Sequence, residues 1–276
     1  MNSPEYGVRT PQIFGILNVT PDSFSDGGRY LDPAAAIAHG LALVAGGADV
    51  IDLGAAASNP NAEPVPPEAE IARMTPVVAA LHARGIAVSA DTFSTPVQRW
   101  ALGQGVAFLN DIQGFADPSF YPELAAADAK LIVMHSVQGR GKATVAQVPP
   151  DEIWDRLFEF FDARVEALTR AGVRRDRLIL DPGMGFFLGE DPECSLSVLR
   201  RIQMLSNFYA LPTLISVSRK SFLRRYLGVD VAQSGPATLA AELFAAERGV
   251  AYIRTHDPHA LRMALAIKAA LGEDRA

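Results

Sequence analysis

The sequence is poor in cysteine and has no cluster of charge of either sign. Its single cysteine, Cys194, excludes an intrachain disulfide and a cysteine-rich metal site. The 25 lysine and arginine residues are outnumbered by 31 aspartate and glutamate residues, and both kinds are spread along the chain. Because nucleic acids and membrane surfaces attract clustered basic residues, the composition argues against either as a partner.

The sequence also lacks a long hydrophobic run and a recognisable targeting segment. No apolar stretch reaches the roughly 20 residues that a membrane-spanning helix requires. The first residues, MNSPEYGVRTPQ, have neither the charged start nor the apolar stretch of a signal peptide. We therefore expect a cytoplasmic protein. Its 276 residues, 49% of them hydrophobic, fit an ordinary globular protein with a large core.

Short runs rich in Ile, Val, Leu and Phe recur along the chain, with helical patterns between them. Runs this apolar, without strict alternation, are typical of parallel strands that helices cover on both faces. Strand–helix alternation repeated eight times predicts one (β/α)8 TIM-barrel domain over residues 13–276, after an N-terminal tail of residues 1–12; an open doubly wound sheet is the alternative. The predicted strands begin at Ile13, Val50, Ala87, Phe108, Lys130, Leu178, Thr213 and Ala251.

Each predicted strand ends in polar, chemically capable residues, and active sites of this barrel lie at those strand ends. Single residues of these types also cap helices. A role in a site is better supported for Asp91, Asn110 and Asp181, which follow apolar stretches and must be paired if they are buried. The full set is Asn18, Asp52, Asp91, Asn110, Asp111, His135, Ser136, Asp181, Ser218, Arg219, Lys220, Arg254 and His256.

Together these side chains suit a ligand with two chemically different ends. Carboxylates and an asparagine in a dry site match a heterocycle that offers several N–H donors. Asn18, Arg254 and His256 match an anion such as a phosphate or diphosphate. Phosphate sites of this barrel frequently lie in the loops after strands seven and eight, which here carry Lys220 and Arg254.

Five segments make a resemblance to a known family specific. The chain resembles the dihydropteroate synthases from about Ile13 to Leu271, with all five motifs in the family's order. The resemblance implies a Mg²⁺-dependent transferase that joins a pterin diphosphate to para-aminobenzoate, and a homodimer. The segments are FGILNVTPDSFSDGG at Phe14–Gly28, LNDI at Leu109–Ile112, LDPGMGF at Leu180–Phe186, SVSRKSF at Ser216–Phe222 and IRTHD at Ile253–Asp257.

The resemblance also implies a role for each matching residue. Asp91, Lys220 and Arg254 would be catalytic, and Asn18 would help to ligate Mg²⁺. The diphosphate would contact Asn18, Arg254 and His256. The pterin pocket would comprise Asp91, Asn110, Ile112, Met134, Asp181, Lys220 and Arg254, and the aminobenzoate would contact Ser58, Phe186, Phe187, Ser218 and Lys220.

The implied reaction is a dissociative substitution at the methylene carbon of the pterin. Mg²⁺ and cationic side chains would stabilise the departing diphosphate, and the Asp91 carboxylate would stabilise the pterin-methyl cation. The aniline nitrogen of para-aminobenzoate then attacks, so no covalent enzyme intermediate is needed.

Two segments depart from the common family pattern. In the loop after strand two, Ser58 replaces the usual Thr, and Asn59 replaces an Arg that normally contacts the diphosphate and the aminobenzoate. The segment after strand six is longer and carries Phe186 and Phe187. Both features resemble the transferable sulfonamide-resistance subgroup. Our hypothesis is that one of these aromatics excludes the bulkier part of sulfonamides; the alternative is that both only pack the loop.

Two other functions stay open on the sequence alone. A pterin-binding methyltransferase that serves a corrinoid also uses a pterin-holding barrel, but it gives the diphosphate-binding residues little to do. A non-catalytic pterin-binding relative is made conceivable by the altered loop after strand two.

Overall fold

Eight parallel strands form the centre of the molecule. The computed structural model describes residues 10–20, 32–57, 63–137 and 146–272. The hydrogen-bonded order of the strands is β6-β5-β4-β3-β2-β1-β8-β7. A single bridge between Leu180 and Thr213 brings the two outer strands together, so the sheet is a nearly closed barrel. The strands are β1 (Gln12–Asn18), β2 (Val50–Gly54), β3 (Ala87–Asp91), β4 (Phe108–Asp111), β5 (Lys130–Met134), β6 (Leu178–Asp181), β7 (Leu214–Ile215) and β8 (Tyr252–Thr255).

This arrangement confirms the predicted (β/α)8 barrel, and the doubly wound alternative is wrong. All strand pairs are parallel, the strands follow one another around the sheet without the reversal of order that a doubly wound sheet has, and the Leu180–Thr213 bridge closes the ring. Every predicted strand is present, with a start that differs from the prediction by at most one residue.

Helices cover the outside of the barrel. Two of them begin directly after an aspartate that caps the helix: Asp32 accepts a hydrogen bond from Ala34 N at 2.9 Å, and Asp257 accepts one from Ala260 N at 3.0 Å. The helices are α1 (Pro33–Ala45), α2 (Pro67–His82), α3 (Thr95–Gly103), α4 (Tyr121–Ala126), α5 (Ile153–Arg170), α6 (Pro192–Arg200), α7 (Gln203–Tyr209), α8 (Ser221–Leu227), α9 (Gly235–Glu247) and α10 (Pro258–Gly272). Among the described residues, no helix is long and apolar enough to cross a membrane.

Aromatic side chains fill the end of the barrel where the strands begin. The rings of Phe14, Phe108 and Tyr252 meet edge to face, with centroids 4.9, 5.6 and 6.1 Å apart. Lys130 Nζ lies 3.1 Å from the Tyr252 hydroxyl and over two of these rings. Side chains therefore fill this end of the barrel, which we call the closed end; the end where the strands stop is the open end.

The seam between β6 and β7 is the weakest joint of the barrel. β7 has only two residues, and besides the Leu180–Thr213 bridge the contact contains a hydrogen bond from Leu180 N to the Pro212 carbonyl at 3.0 Å. Two helices, α6 and α7, separate these strands, where a simple barrel repeat has one.

Candidate active site

A cavity of about 300 Å³ opens at the carboxyl ends of the strands. Residues from all eight strands or the loops that follow them contribute to its wall, which is how this fold gathers distant parts of a chain into one site. The predicted site residues that line it are Asn18, Asp91, Asn110, Ile112, Met134, Asp181, Phe187, Lys220 and Arg254.

Arg254 is held between two carboxylates. Its Nε donates to Asp52 Oδ2, and its Nη2 donates to Asp91 Oδ2 at 2.6 Å. Burial opposes the charge on the guanidinium, but the Asp52 and Asp91 carboxylates outweigh that effect and raise the pKa of Arg254, which stays protonated. The site therefore contains a fixed cation whose own partners are buried acids.

The site also offers hydrogen-bond acceptors to a ligand. Burial raises the pKa of Asp181 to about 6, although its Oδ1 accepts a hydrogen bond from Gly183 N at 2.8 Å. Burial likewise raises the pKa of Asp91 to about 7, against the attraction of Arg254. Asn110 is 3% exposed, and its Oδ1 has no hydrogen-bond partner among the described residues. These groups gain most from a ligand that supplies N–H donors.

Lys220 is the second cation of the cavity. It immediately precedes α8, and its Nζ lies 5.2 Å from the centre of the Phe187 ring. Burial, assisted by the charge of Arg254, lowers the pKa of Lys220 to about 8. Burial has removed water from the Lys220 amine. A ligand that offers an anionic or carbonyl oxygen therefore supplies a hydrogen bond that water no longer provides.

The two adjacent phenylalanines face different surroundings. The turn after β6 needs glycine, because a Cβ on Gly183, at φ 69°, would lie 2.4 Å from the His135 carbonyl oxygen. A short 3₁₀ helix, Gly185–Phe187, then points Phe187 into the cavity, where it packs with Ile112 and Met134. Phe186 is absent from the cavity wall; it packs against the edge of this cluster and contacts the Arg225 guanidinium, 5.4 Å from its ring centre.

Two predicted residues pair with each other outside the cavity wall. Ser218 Oγ lies 3.0 Å from His256 Nδ1 and accepts a hydrogen bond from His256 N at 3.2 Å. Burial and the nearby charge of Arg219 lower the pKa of His256 to about 3, so its ring is neutral. Their contacts with diphosphate and aminobenzoate stay predictions. Ser58 and Asn59 lie outside the described residues, as does the part of the first motif at 21–28.

The sequence of the chain is similar to those of known proteins that bind pterins. A family model described as "Pterin binding enzyme" matches residues 14–256. The chain is 59% identical, over 261 residues, to dihydropteroate synthase type-2 of Escherichia coli, and the match covers 95% of this chain and 96% of that one.

The chain belongs to the dihydropteroate synthases.

Solved structures of other dihydropteroate synthases share the fold of this one. The enzyme of Xanthomonas albilineans, solved with 4-aminobenzoic acid, superposes with a TM-score of 0.87 at 34% identity, covering 97% of this chain and 95% of that one. The enzyme of Anaplasma phagocytophilum, solved with bound 6-hydroxymethylpterin-monophosphate, superposes with a TM-score of 0.84 at 31% identity, covering 95% of this chain and 100% of that one. This synthase is accordingly a transferase.

The synthase site also depends on residues that were assigned no role in it from the sequence, either in the cavity wall or behind it. Asp52 was noted only as a polar strand end, yet it anchors Arg254. A usable signal exists, because side chains two residues apart on a strand point to the same side. The apolar layer at the closed end contains Val50, and Asp52 follows it by two; Leu214 and Ser216 stand in the same relation. The wall residues that the sequence did not assign are Thr20, Ala56, Ala57, Gly183, Met184 and Ser216.

The residues near Gly54 test whether this synthase can hold a divalent cation. A Cβ added to Gly54 would lie 3.5 Å from both Asn18 Oδ1 and Asp91 Oδ2, so these two oxygens face one small space that the glycine leaves open. Oxygen donors of this kind are what Mg²⁺ prefers. Across the described ranges, no group of three or more His, Cys, Asp or Glu side chains could hold a metal ion. Asn18 and Asp91 therefore fit Mg²⁺ as two ligands of a shell that substrate and water complete.

Proposed function

We propose that this synthase condenses 6-hydroxymethyl-7,8-dihydropterin diphosphate with para-aminobenzoate to give 7,8-dihydropteroate and diphosphate. The observation that carries the proposal is the composition of one cavity, whose wall combines hydrogen-bond acceptors with two half-buried cations. The pterin phosphate and the 4-aminobenzoic acid seen in related synthases are ligands of matching chemistry.

The acceptor side suits the pterin ring. Asp181 and the free Oδ1 of Asn110 accept from the amino group and ring N–H groups of the pterin, and Lys220 donates to its carbonyl side. Ionised Asp181 is the form that accepts two such bonds, so binding draws its pKa back below about 6. Ile112, Met134 and Phe187 form the apolar part of this wall.

The charge distribution favours a dissociative step. The carbon–oxygen bond breaks with its electron pair leaving on the diphosphate, and the carbon–nitrogen bond forms afterwards as the aniline nitrogen loses a proton. Asp91 stabilises the positive charge on the methylene carbon, while Arg254 and Lys220 lie where they attract the departing anion. Mg²⁺, held by Asn18 and Asp91, would supply further charge stabilisation to the diphosphate when bound.

We further propose that Phe187 reduces sensitivity to sulfonamides. Phe187 lines the cavity beside Lys220, whereas its half-buried neighbour Phe186 contacts Arg225 and is absent from the cavity wall. Replacing Phe187 by Gly is expected to lower the inhibitory sulfonamide concentration about tenfold or more, with a smaller change in the KM for para-aminobenzoate. Phe186→Ala is the matched control and leaves inhibition unchanged. Equal sensitisation by both variants would mean that the loop, and not the Phe187 ring, excludes the drug.

The decisive experiment for the function is release of diphosphate from the pterin substrate with Mg²⁺, with and without para-aminobenzoate. Release that requires both is the expected result. Pterin binding without any release would point to the non-catalytic alternative. Methyl transfer from a methylated pterin to a corrinoid, without diphosphate release, would point to the methyltransferase.

We propose a cytoplasmic homodimer that has only small-molecule substrates as other partners. Large apolar side chains on α7 and α8 are exposed, namely Phe208, Tyr226 and Leu227, and a second copy of the chain would cover such side chains. Light scattering at micromolar concentration should give the mass of two chains, and the mass of one chain would contradict the proposal.

A further inference from the structure

Asp52 lies behind the cavity and contacts two of its functional residues at once. It sits in the middle of β2 with 0% exposure and is absent from the cavity wall. The same oxygen, Oδ2, accepts hydrogen bonds from Arg254 Nε and from Asn110 Nδ2, the latter at 3.4 Å. One buried carboxylate oxygen thus joins strands β2, β4 and β8 beneath the ligand site.

This contact decides which end of the Asn110 amide faces the ligand. An asparagine presents a donor at one end of its amide and an acceptor at the other. A carboxylate paired with an arginine can only accept, so the NH2 group of Asn110 must face Asp52. Its Oδ1 is then left for the cavity, and that oxygen has no hydrogen-bond partner in the described parts of the chain. Asp52 therefore makes Asn110 an acceptor and not a donor.

The same oxygen fixes the guanidinium of Arg254. With Nε bound to Asp52 and Nη2 bound to Asp91 at 2.6 Å, the guanidinium plane is set by two carboxylates on different strands. Without the Asp52 contact, Arg254 keeps one anchor and can rotate about it. A buried side chain with two anchors presents its charge in one place, which lowers the cost of ordering it when a ligand binds.

We propose that Asp52 is a positioning residue that sets the orientation of Asn110 and Arg254, and that it thereby makes the cavity select heterocycles with N–H donors at Asn110. The inference rests on the proposed function, since it names the feature by which this site recognises the pterin ring. Asp52 touches no substrate, so it acts only through the two side chains that it holds.

A double-mutant cycle tests the action through Asn110. The variants are Asp52→Leu, Asn110→Ala and their combination, and the readout is the dissociation constant of 7,8-dihydropteroate measured by calorimetry. Asp52→Leu is expected to weaken binding about tenfold alone, but less than about threefold when Asn110 is already Ala. The same factor in both backgrounds would overturn the proposal. Failure of the unmodified protein to bind dihydropteroate would contradict the proposed function instead.

A conservative variant separates position from charge. In Asp52→Asn, Arg254 Nε can only donate, so the new amide must turn its oxygen towards Arg254 and hence also towards Asn110. Binding of dihydropteroate is therefore expected to return to within about threefold of the unmodified protein. A loss as large as that of Asp52→Leu would contradict a role in orientation.

The matched control lies immediately before the same strand. Asp49 immediately precedes β2 and also pairs with an arginine, Arg262, at 2.8 Å, but at the closed end of the barrel. Asp49→Leu removes an Asp–Arg contact without touching the cavity, so dihydropteroate binding should not change. A similar loss of binding in this variant would mean that general destabilisation explains the result for Asp52.

If Asp52→Leu does not fold, the unmodified protein still decides the question. The side-chain amide signals of Asn110 in ¹⁵N-labelled protein, assigned by comparison with Asn110→Ala, should show slow hydrogen exchange before any ligand is added. Amide protons that become protected only on addition of dihydropteroate would face the cavity, and would overturn the proposed orientation.

Discussion

The two ends of the barrel are built on the same strands with opposite chemistry. At the closed end, apolar side chains form a layer that includes Val50, Phe108 and Tyr252. Two residues further along these strands lie Asp52, Asn110 and Arg254, which meet at the open end. Because residues two apart share a face of the strand, both layers point into the barrel. The apolar layer at the closed end, which we call the lower layer, stabilises the barrel. The polar layer two residues further along the strands, which we call the upper layer, provides the functional side chains.

The largest effect on stability is expected from Phe14→Ala in the lower layer. The Phe14 ring is fully buried and contacts the rings of Phe108 and Tyr252, so its removal leaves a cavity that should cost about 3–5 kcal/mol of unfolding free energy. Chemical denaturation measures that loss. The turnover of the folded fraction should be unchanged, and a specific loss of turnover would show that the two layers are not independent.

Lys220→Met is the complementary change in the upper layer. Losing this cation should lower kcat/KM about 10²–10³-fold, because a preorganised positive group no longer faces the developing anion. The melting temperature should stay the same or rise, since burial already disfavours the charged amine and lowers its pKa to about 8. Diphosphate release and thermal unfolding are the two measurements. A large fall in stability with little change in turnover would mean that Lys220 stabilises the fold and does not serve the reaction.

The pH dependence of pterin binding should report the upper layer alone. In the ligand-free protein burial raises the pKa of Asp181 to about 6, and only the ionised form accepts the N–H groups of the ligand. The dissociation constant of dihydropteroate should therefore rise about tenfold for each pH unit below 6. Asp181→Asn should bind more weakly at every pH and lose this dependence. If the dissociation constant still depends on pH in Asp181→Asn, another group, such as Asp91, is responsible for the dependence.

The smallest effect is expected from Arg262→Met at the closed end. Arg262 contacts Asp49 at 2.8 Å and donates to the Gly47 carbonyl at 2.7 Å, and its side chain is 37% exposed. Removing these contacts should cost about 1 kcal/mol of unfolding free energy, part of which is screened by salt. Substrate KM and kcat should stay unchanged. A change in either constant would mean that charge at this end reaches the cavity.

The barrel could be predicted from the sequence because each strand is a continuous apolar run bounded by turn residues. Strand positions then fixed which residues gather at the open end, and Asn18, Asp91, Asn110, Asp181 and Arg254 do line one cavity there. The second helix between β6 and β7 could not be predicted, since a pattern of apolar residues does not say where a helix bends back.

Orientation was the part that the sequence did not contain. Phe186 and Phe187 are identical in type and adjacent, yet only Phe187 is part of the cavity wall, after a turn in which Gly183 and Gly185 have positive φ angles. Ser218 and His256 follow the right strands but bind each other. Asp52 was visible as a polar strand end, but its hydrogen bonds to two other strands depend on the closed barrel and not on neighbouring residues.

The weak seam between β6 and β7 changes what a bound ligand does mechanically. Asp181 ends β6 and Lys220 follows β7, so a ligand that contacts both stretches across the joint with the shortest backbone ladder. Its contacts with the two side chains add to the few backbone hydrogen bonds that join β6 and β7. A bound ligand should therefore strengthen the contact between β6 and β7, the weakest joint of the barrel.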